Sequence, residues 1–237
     1  MKPLFYLLDL LFPPCCAFCR RKLAGESVLP LCSECEAALL SPAGCCPHCG
    51  YPLPEDSRDC PTCFDRAFAF DGACAASLYR GQLKKAVYRY KYGGEKGLAQ
   101  PFGRIIALQV KKYPWPSFDA VVPIPLHHKK LLQRGYDQSL LLARAVAGQL
   151  KIPLVCGLRR RRETVSQTSL TAAQRWQNVR EAFTCAAGSL PQKILLVDDL
   201  LTTGATAHFA ALAARRGGAA EVYLAVIARS EGYDRST

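Results

Sequence analysis

The sequence predicts an α/β protein, a mostly parallel sheet flanked by helices, with an N-terminal cysteine-rich zinc-ribbon region. Three observations carry that prediction. From about Ala73 onward, apolar runs of strand length alternate with helical patterns over short connections, the arrangement that covers a parallel sheet on both faces. Ten of the 13 cysteines lie before residue 64. Charge divides the chain at the same place, with a net of −3 over residues 1–72 and +15 over residues 73–237. Two parts of different chemistry follow, residues 15–68 and residues 73–237, behind a short leader of residues 1–14. With 237 residues and 50% hydrophobic side chains, disorder, collagen and low complexity are excluded. The overall charge of +12 points to an anionic partner: nucleic acid, a phosphorylated metabolite or a membrane surface.

Residues 1–14, MKPLFYLLDLLFPP, are apolar but short, broken by Asp9 and closed by Pro13 and Pro14 without a small-residue cleavage site. They read as an amphipathic helix packed on the protein body, not as a signal peptide. No other stretch approaches the roughly 18–20 apolar residues that cross a bilayer, so no membrane insertion and a cytoplasmic location are expected.

Cysteines then recur as Cys16-x-x-Cys19, Cys32-x-x-Cys35, Cys46-x-x-Cys49 and Cys60-x-x-Cys63, with 12, 10 and 10 residues between pairs. A two-residue gap lets one tight turn aim both sulfurs at a tetrahedral ion, and two pairs complete a four-thiolate site. Two structural Zn²⁺ sites are expected. Sequential pairing is favoured, although an interleaved arrangement fits the same spacings. Cys15, Cys45 and His48 stand beside ligand positions. Four thiolates leave no open coordination position, which argues for a folding role over catalysis. Cys74, Cys156 and Cys185 read as small buried apolar residues.

In the basic part, Ala73–Tyr79 reads as a strand, Leu83–Tyr92 and Leu98–Val110 as helices, and Phe118–Pro125 as a buried strand entering a turn. Helical periodicity returns over Gln138–Leu150, and Thr171-x-x-Gln174 is a candidate capping box. A strand over Lys193–Asp198 is followed by a helix over Ala205–Arg216, stopped by Gly217 and Gly218, and by a last strand over Val222–Ile227.

The most informative run is ILLVDDLLTTGATA, residues 194–207. A buried strand delivers Asp198 and Asp199 to its C-terminal end, and a loop rich in hydroxyls and glycine leads into a helix. Ligands bind in that crevice of a parallel sheet. Thr202, Thr203, Gly204, Ala205 and Thr206 offer backbone N–H groups, hydroxyls and a helix N-terminus, a cradle for phosphate. The acidic pair suits the two neighbouring hydroxyls of a ribose whose 5′-phosphate lies in the loop. Neither a Walker A loop nor a GxGxxG fingerprint is present.

These residues resemble the 5-phosphoribosyl-1-pyrophosphate (PRPP) signature of type I phosphoribosyltransferases. VPIPLHHKKLLQRGYDQSLLLARAVA (residues 122–147), RETVSQTSLTAAQRWQNVREAF (residues 162–183) and the cysteine-rich N-terminus are similar to segments of the ComF family of competence-associated proteins. The resemblance implies that Asp198, Asp199, Leu200, Leu201, Thr202, Thr203, Gly204, Ala205 and Thr206 bind PRPP. It implies a pyrophosphate loop at Leu126, His127, His128, Lys129 and Arg134, with Lys130 nearby and Mg²⁺ accompanying the ligand. His127 and His128 read as exposed loop residues. Where the family has RGFNQ this chain has Arg134-Gly135-Tyr136-Asp137-Gln138, and Asp137 is expected to cap the helix that follows. By the same resemblance Arg159, Arg160, Arg161 and Arg162 open a flexible basic segment over the ligand, although such a run also reads as a solvated face. Tyr88, Tyr90 and Tyr92, interleaved with Arg89 and Lys91, either stack on bases or pack on the sheet.

Three functions fit. A PRPP-binding protein of DNA uptake or utilisation would hold single-stranded DNA and act with a competence helicase or ATPase. An active phosphoribosyltransferase would transfer the phosphoribosyl group to a nitrogen acceptor. A PRPP-sensing regulator ranks last, since no duplex-reading motif is present.

Overall fold

A computed structural model of the chain describes residues 14–23, 28–54, 57, 59–64, 67–161, 176, 180 and 182–230. The helix expected before Cys15, the candidate capping box at Thr171 and Gln174, and Arg162 lie outside them.

The first described element is a single helical turn, α1 (Ser33–Glu36), inside the cysteine region. Strand β1 (Gly72–Leu78) leads to helices α2 (Gly81–Tyr92) and α3 (Ala99–Val110), then to β2 (Ala120–Pro123). Helices α4 (His128–Arg134) and α5 (Gln138–Leu150) follow, then short strands β3 (Leu158–Arg160) and β4 (Phe183–Cys185). Strand β5 (Lys193–Leu201), helix α6 (Ala205–Arg216) and strand β6 (Glu221–Arg229) close the described fold.

The four long-range strands form one parallel sheet in the order β1-β6-β5-β2, while β3 and β4 pair antiparallel beside it. Helices lie on both faces, which is why Ile194, Leu195, Leu196 and Val197 are all buried without alternation. On one face Leu195, Val197 and Ile227 pack with α2, α3 and α5. Gly103 of α3 makes that layer tight: a Cβ there would come within 2.4 Å of the Ala145 Cβ on α5. On the other face Ile194, Leu196 and Val226 meet α6, whose Ala207, Ala210, Ala211 and Ala214 let the helix lie close to the sheet.

Strand β5 runs past its expected end at Asp198. Because β6 continues to Arg229, the ladder holds as far as Leu200 opposite Ala228 and Leu201 opposite Arg229. The acidic pair therefore sits within a hydrogen-bonded strand, not at its frayed tip. Two other expectations are corrected. The turn after Pro125 becomes helix α4, capped by His127 and closed by Gly135 at φ +74°. Cys156 is exposed, because it lies in the extended link ahead of β3, whereas Cys74 is buried as expected and Cys185 half-buried.

The cysteine region is built twice on one plan. Arg20 and Gly50, each directly after a CxxC, both take φ near +65°, and their amides return to the carbonyls of Cys16 and Cys46. Cys15 bridges to Lys22 as Cys45 bridges to Pro52. Each copy packs on a different face of the sheet. Phe18 of the first meets Phe102 of α3 edge-on at 6.2 Å, and Phe68 and Phe70 after the second join the α6 layer. At Gly50 a Cβ would stand 2.9 Å from the Ala73 carbonyl oxygen of β1, so the second knuckle can approach the sheet only as glycine. Among the described residues, no helix is long and apolar enough to cross a membrane.

Candidate functional site

The C-terminal ends of β5 and β6, with α2 and α4, enclose a cleft. Lys91, Leu126, Lys130, Arg134, Arg160 and the run Asp198–Thr202 line it, together with Gly204 and Thr206. Two acids and four cations thus face one space beside a helix N-terminus.

Each acid is held by a neighbouring helix. The Ser139 hydroxyl of α5 donates to Asp198 Oδ1 at 2.9 Å, and the Asp199 backbone N–H donates to the same oxygen at 2.8 Å. Lys91 Nζ of α2 lies 2.8 Å from Asp199 Oδ1, with both side chains largely out of solvent. Burial, and next the charge of Asp199, push the Asp198 carboxyl up to about 7. Burial works against the Lys91 ammonium, yet Asp199 and Asp198 carry it above its ordinary value. Burial and then Arg160, Arg134 and Lys91 pull Lys130 down, so this cluster of cations is short of counter-charge and suits an anionic ligand.

Helix packing explains why Lys91 reaches the pair. Tyr90, fully buried, donates its hydroxyl to the Gln138 carbonyl at 2.7 Å, and Tyr136 donates to the Tyr90 carbonyl. This clamp fixes the end of α2 against the α4–α5 corner. Asp137 accepts from the Leu140 N–H at 2.9 Å and so caps α5.

The loop between β5 and α6 turns at Gly204, with φ +83°, and the Thr203 hydroxyl accepts from the Ala205 N–H at 3.5 Å. A Cβ on Gly204 would lie 2.4 Å from the Phe68 ring. Glycine here is demanded twice, by backbone angle and by close approach.

Of the expected pyrophosphate loop, Leu126 and Arg134 line the cleft. His127, His128 and Lys129 do not. His128 is exposed as expected, but His127 is only 3% exposed, because its Nδ1 turns inward to accept from the Lys129 N–H at 3.4 Å. In the arginine run, strand alternation separates the side chains: Arg160 enters the cleft and lies 5.1 Å over the Phe183 ring, while Arg159 and Arg161 are exposed. The tyrosines divide likewise. Tyr90 is core, whereas Tyr88 and Tyr92 stand on the exposed face of α2 at 62% and 55%, with rings 5.1 Å apart. Arg134 bridges this face to the cleft, its guanidinium 4.9 Å over Tyr92. Ser139 is a site residue that sequence reasoning did not single out, and Lys91 was named there only as part of the tyrosine-interleaved run, not as a partner of the acids. Lys91 follows the buried stripe of Leu83, Val87 and Tyr90, and that helical spacing was the available signal.

The thiols form two tetrads, Cys16/Cys19/Cys32/Cys35 and Cys46/Cys49/Cys60/Cys63, with all sulfurs of a tetrad within 4.8 Å of one another. The pairing is sequential, and Cys15, Cys45 and His48 stay outside it. Sulfur separations of 3.6 Å for Cys19–Cys32, 3.9 Å for Cys46–Cys63 and 3.4 Å for Cys49–Cys60 bracket the ~3.8 Å edge of a tetrahedron with metal–sulfur bonds of about 2.3 Å. All 13 cysteines are free of disulfides. The donor set fits structural zinc in both places.

Residues 7–65 match the family model described as a double zinc ribbon domain. Competence protein F of Haemophilus influenzae is 29% identical over 84% of this chain and 90% of its own. The DNA utilization protein YhgH of Escherichia coli K12 is 28% identical over 88% and 94%, and competence protein ComFC of Bacillus subtilis is 29% identical over 84% of each. Among solved structures, the allosteric regulatory enzyme of purine biosynthesis covers 59% of this chain and 29% of its own, at 19% identity and a TM-score of 0.38. The glutamine PRPP amidotransferase of B. subtilis, complexed with ADP and GMP, covers 58% and 30%, at 22% identity and a TM-score of 0.40. This chain spans less than a third of either enzyme.

Proposed function

From the premise that the chain is a homologue of competence protein F, YhgH and ComFC over most of its length, we propose that it binds PRPP and acts in DNA uptake or utilisation, holding single-stranded DNA on its basic surface. The observation that carries the PRPP reading is the convergence of Asp198, Asp199 and the Thr202–Thr206 loop with Lys91, Lys130, Arg134 and Arg160 on one cleft. The acids accept from the ribose hydroxyls, the loop takes the 5′-phosphate, and the cations face the pyrophosphate. Mg²⁺ supplies further neutralisation of the pyrophosphate.

Single-stranded DNA is supported by the relatives' names, by the +15 carried on residues 73–237 and by the exposed pair Tyr88 and Tyr92 beside Arg134. Backbone phosphates meet the cations and bases stack on the rings. A competence helicase or ATPase is the partner this role calls for. Calorimetry of PRPP with Mg²⁺, and fluorescence anisotropy of a labelled single strand against salt, test the two halves separately. Absence of PRPP binding at millimolar ligand, or strand binding indifferent to salt, defeats the corresponding half.

A second reading, transfer of the phosphoribosyl group to a nitrogen acceptor, is favoured by the cations that would neutralise departing pyrophosphate. Release of pyrophosphate from PRPP across a panel of bases and amines tests it.

A further inference from the structure

Arg229 is buried, at 3% exposure, in the last position of β6, between the second cysteine tetrad and the ligand loop. Its guanidinium donates to the carbonyl of Leu201, which ends β5, at 3.1 Å and to that of Thr202, which begins the loop. It also lies 5.5 Å over the ring of Tyr51, which follows the knuckle closed by Cys49 and Gly50. Among the described residues no carboxylate pairs with it. Tyr51 is itself tied to the tetrad, its carbonyl accepting from the Cys46 backbone N–H at 2.8 Å.

A guanidinium taken out of water needs a counter-charge. Two thiolates balance one divalent ion, so a four-thiolate zinc centre carries a net charge of −2 and supplies it. The Leu201 carbonyl also accepts from the Ser230 backbone N–H at 2.9 Å, and among the described residues Arg229 is the side chain that donates to it and to the Thr202 carbonyl. We infer that Arg229 is a positioning residue that makes the second metal centre part of the ligand site: the charged tetrad holds Arg229, and Arg229 holds the Leu201–Thr202 backbone in the shape that presents Gly204 and the start of α6 to an anion. Among the described residues the first tetrad has no such link to the ligand loop. Of the arginines near it, Arg89 donates to the Ala17 and Phe18 carbonyls and pairs with Glu95, on the face away from α6, while Arg20 and Arg21 are exposed and pair with Glu95 and Glu34.

The inference rests on the proposed PRPP reading only for the identity of the anion, and the test keeps the two apart. Amide hydrogen exchange over residues 201–206 is measured without ligand in the full zinc-loaded chain, in Arg229→Gln and Arg229→Lys, and in Cys60→Ser beside Cys35→Ser, with zinc counted in each. Arg229→Gln is expected to retain two zinc ions and to exchange about tenfold faster in this segment, the effect of losing two charge-assisted hydrogen bonds. Arg229→Lys should recover part of the protection. Cys60→Ser should loosen the same segment and Cys35→Ser should not. PRPP titrations should follow the same order, with about tenfold weaker binding for Arg229→Gln. If Arg229→Gln protects residues 201–206 as the parent does, or if Cys35→Ser loosens them equally, the inference is wrong. If exchange changes as described while no variant binds PRPP, the coupling stands and the PRPP reading falls.

Discussion

Replacing Asp198 by Asn should stabilise the protein and abolish its ligand binding. Burial and the adjacent Asp199 lift the Asp198 carboxyl from 3.8 to about 7, against the opposing pull of Lys91, the Asp199 N–H and Ser139. The unfolded chain titrates near the lower value. Between the two, the native protein holds a proton that the unfolded chain has lost, so stability declines as pH rises through this window and levels off above about 7. The whole displacement corresponds to at most about 4 kcal/mol at roughly 1.4 kcal/mol per tenfold change. Because the repulsion belongs to Asp198 and Asp199 jointly, about half, ~2 kcal/mol, is assigned to one substitution. Asn cannot ionise and keeps a carbonyl oxygen for Ser139. Urea denaturation at pH 5 and pH 8 without ligand should therefore favour Asp198→Asn by about 2 kcal/mol at pH 8 and by less than about 1 kcal/mol at pH 5. Adding PRPP with Mg²⁺ should stabilise the parent alone. Equal differences at the two pH values, or a variant less stable at pH 8, would refute the reasoning.

Removing the partner cation has the opposite sign: Lys91→Met should cost about 3 kcal/mol at pH 8 and less at pH 5, where Asp198 holds a proton, and an unchanged urea midpoint at pH 8 would contradict this. Gly204→Ala should weaken PRPP binding about tenfold or more in calorimetry, and adding Phe68→Ala should recover only part, since the clash is relieved and the φ of +83° is not. The double change Tyr88→Ala with Tyr92→Ala should weaken single-strand binding by roughly 10- to 100-fold in anisotropy, with the salt slope and PRPP affinity preserved. A parental affinity for the strand would remove these rings from the interface.

The parts legible in the sequence are those written in local patterns. Helix α5 ends where its periodicity ends, because Asp137 caps one end and Lys151 takes a left-handed conformation at the other. The bounds of α6 follow from Gly204 before it and Gly217 after it. Three-residue strands such as β3 and β4 are too short to show a period, and their partners lie more than twenty residues apart in sequence. The acidic pair and its loop were readable from the single run of residues 194–207. Their holders were not, since Lys91, Ser139 and Arg229 reach Asp199, Asp198 and the Leu201 carbonyl only once helices and strands from distant stretches are packed together. His127 was misread as exposed for a related reason. Nothing in a proline-bounded HHKK run announces that the first imidazole folds back to cap its own helix.

The central claim is that the acids, loop and cations around β5 form one phosphoribosyl pyrophosphate site. Isothermal titration of the zinc-loaded full chain with PRPP and Mg²⁺ tests it most directly, with Asp198→Asn, Asp199→Asn as the paired control. One saturable site per chain, lost in the double variant while both zinc ions and the fold remain, is the predicted result. No heat of binding at millimolar PRPP, or the same isotherm from the double variant, would contradict it.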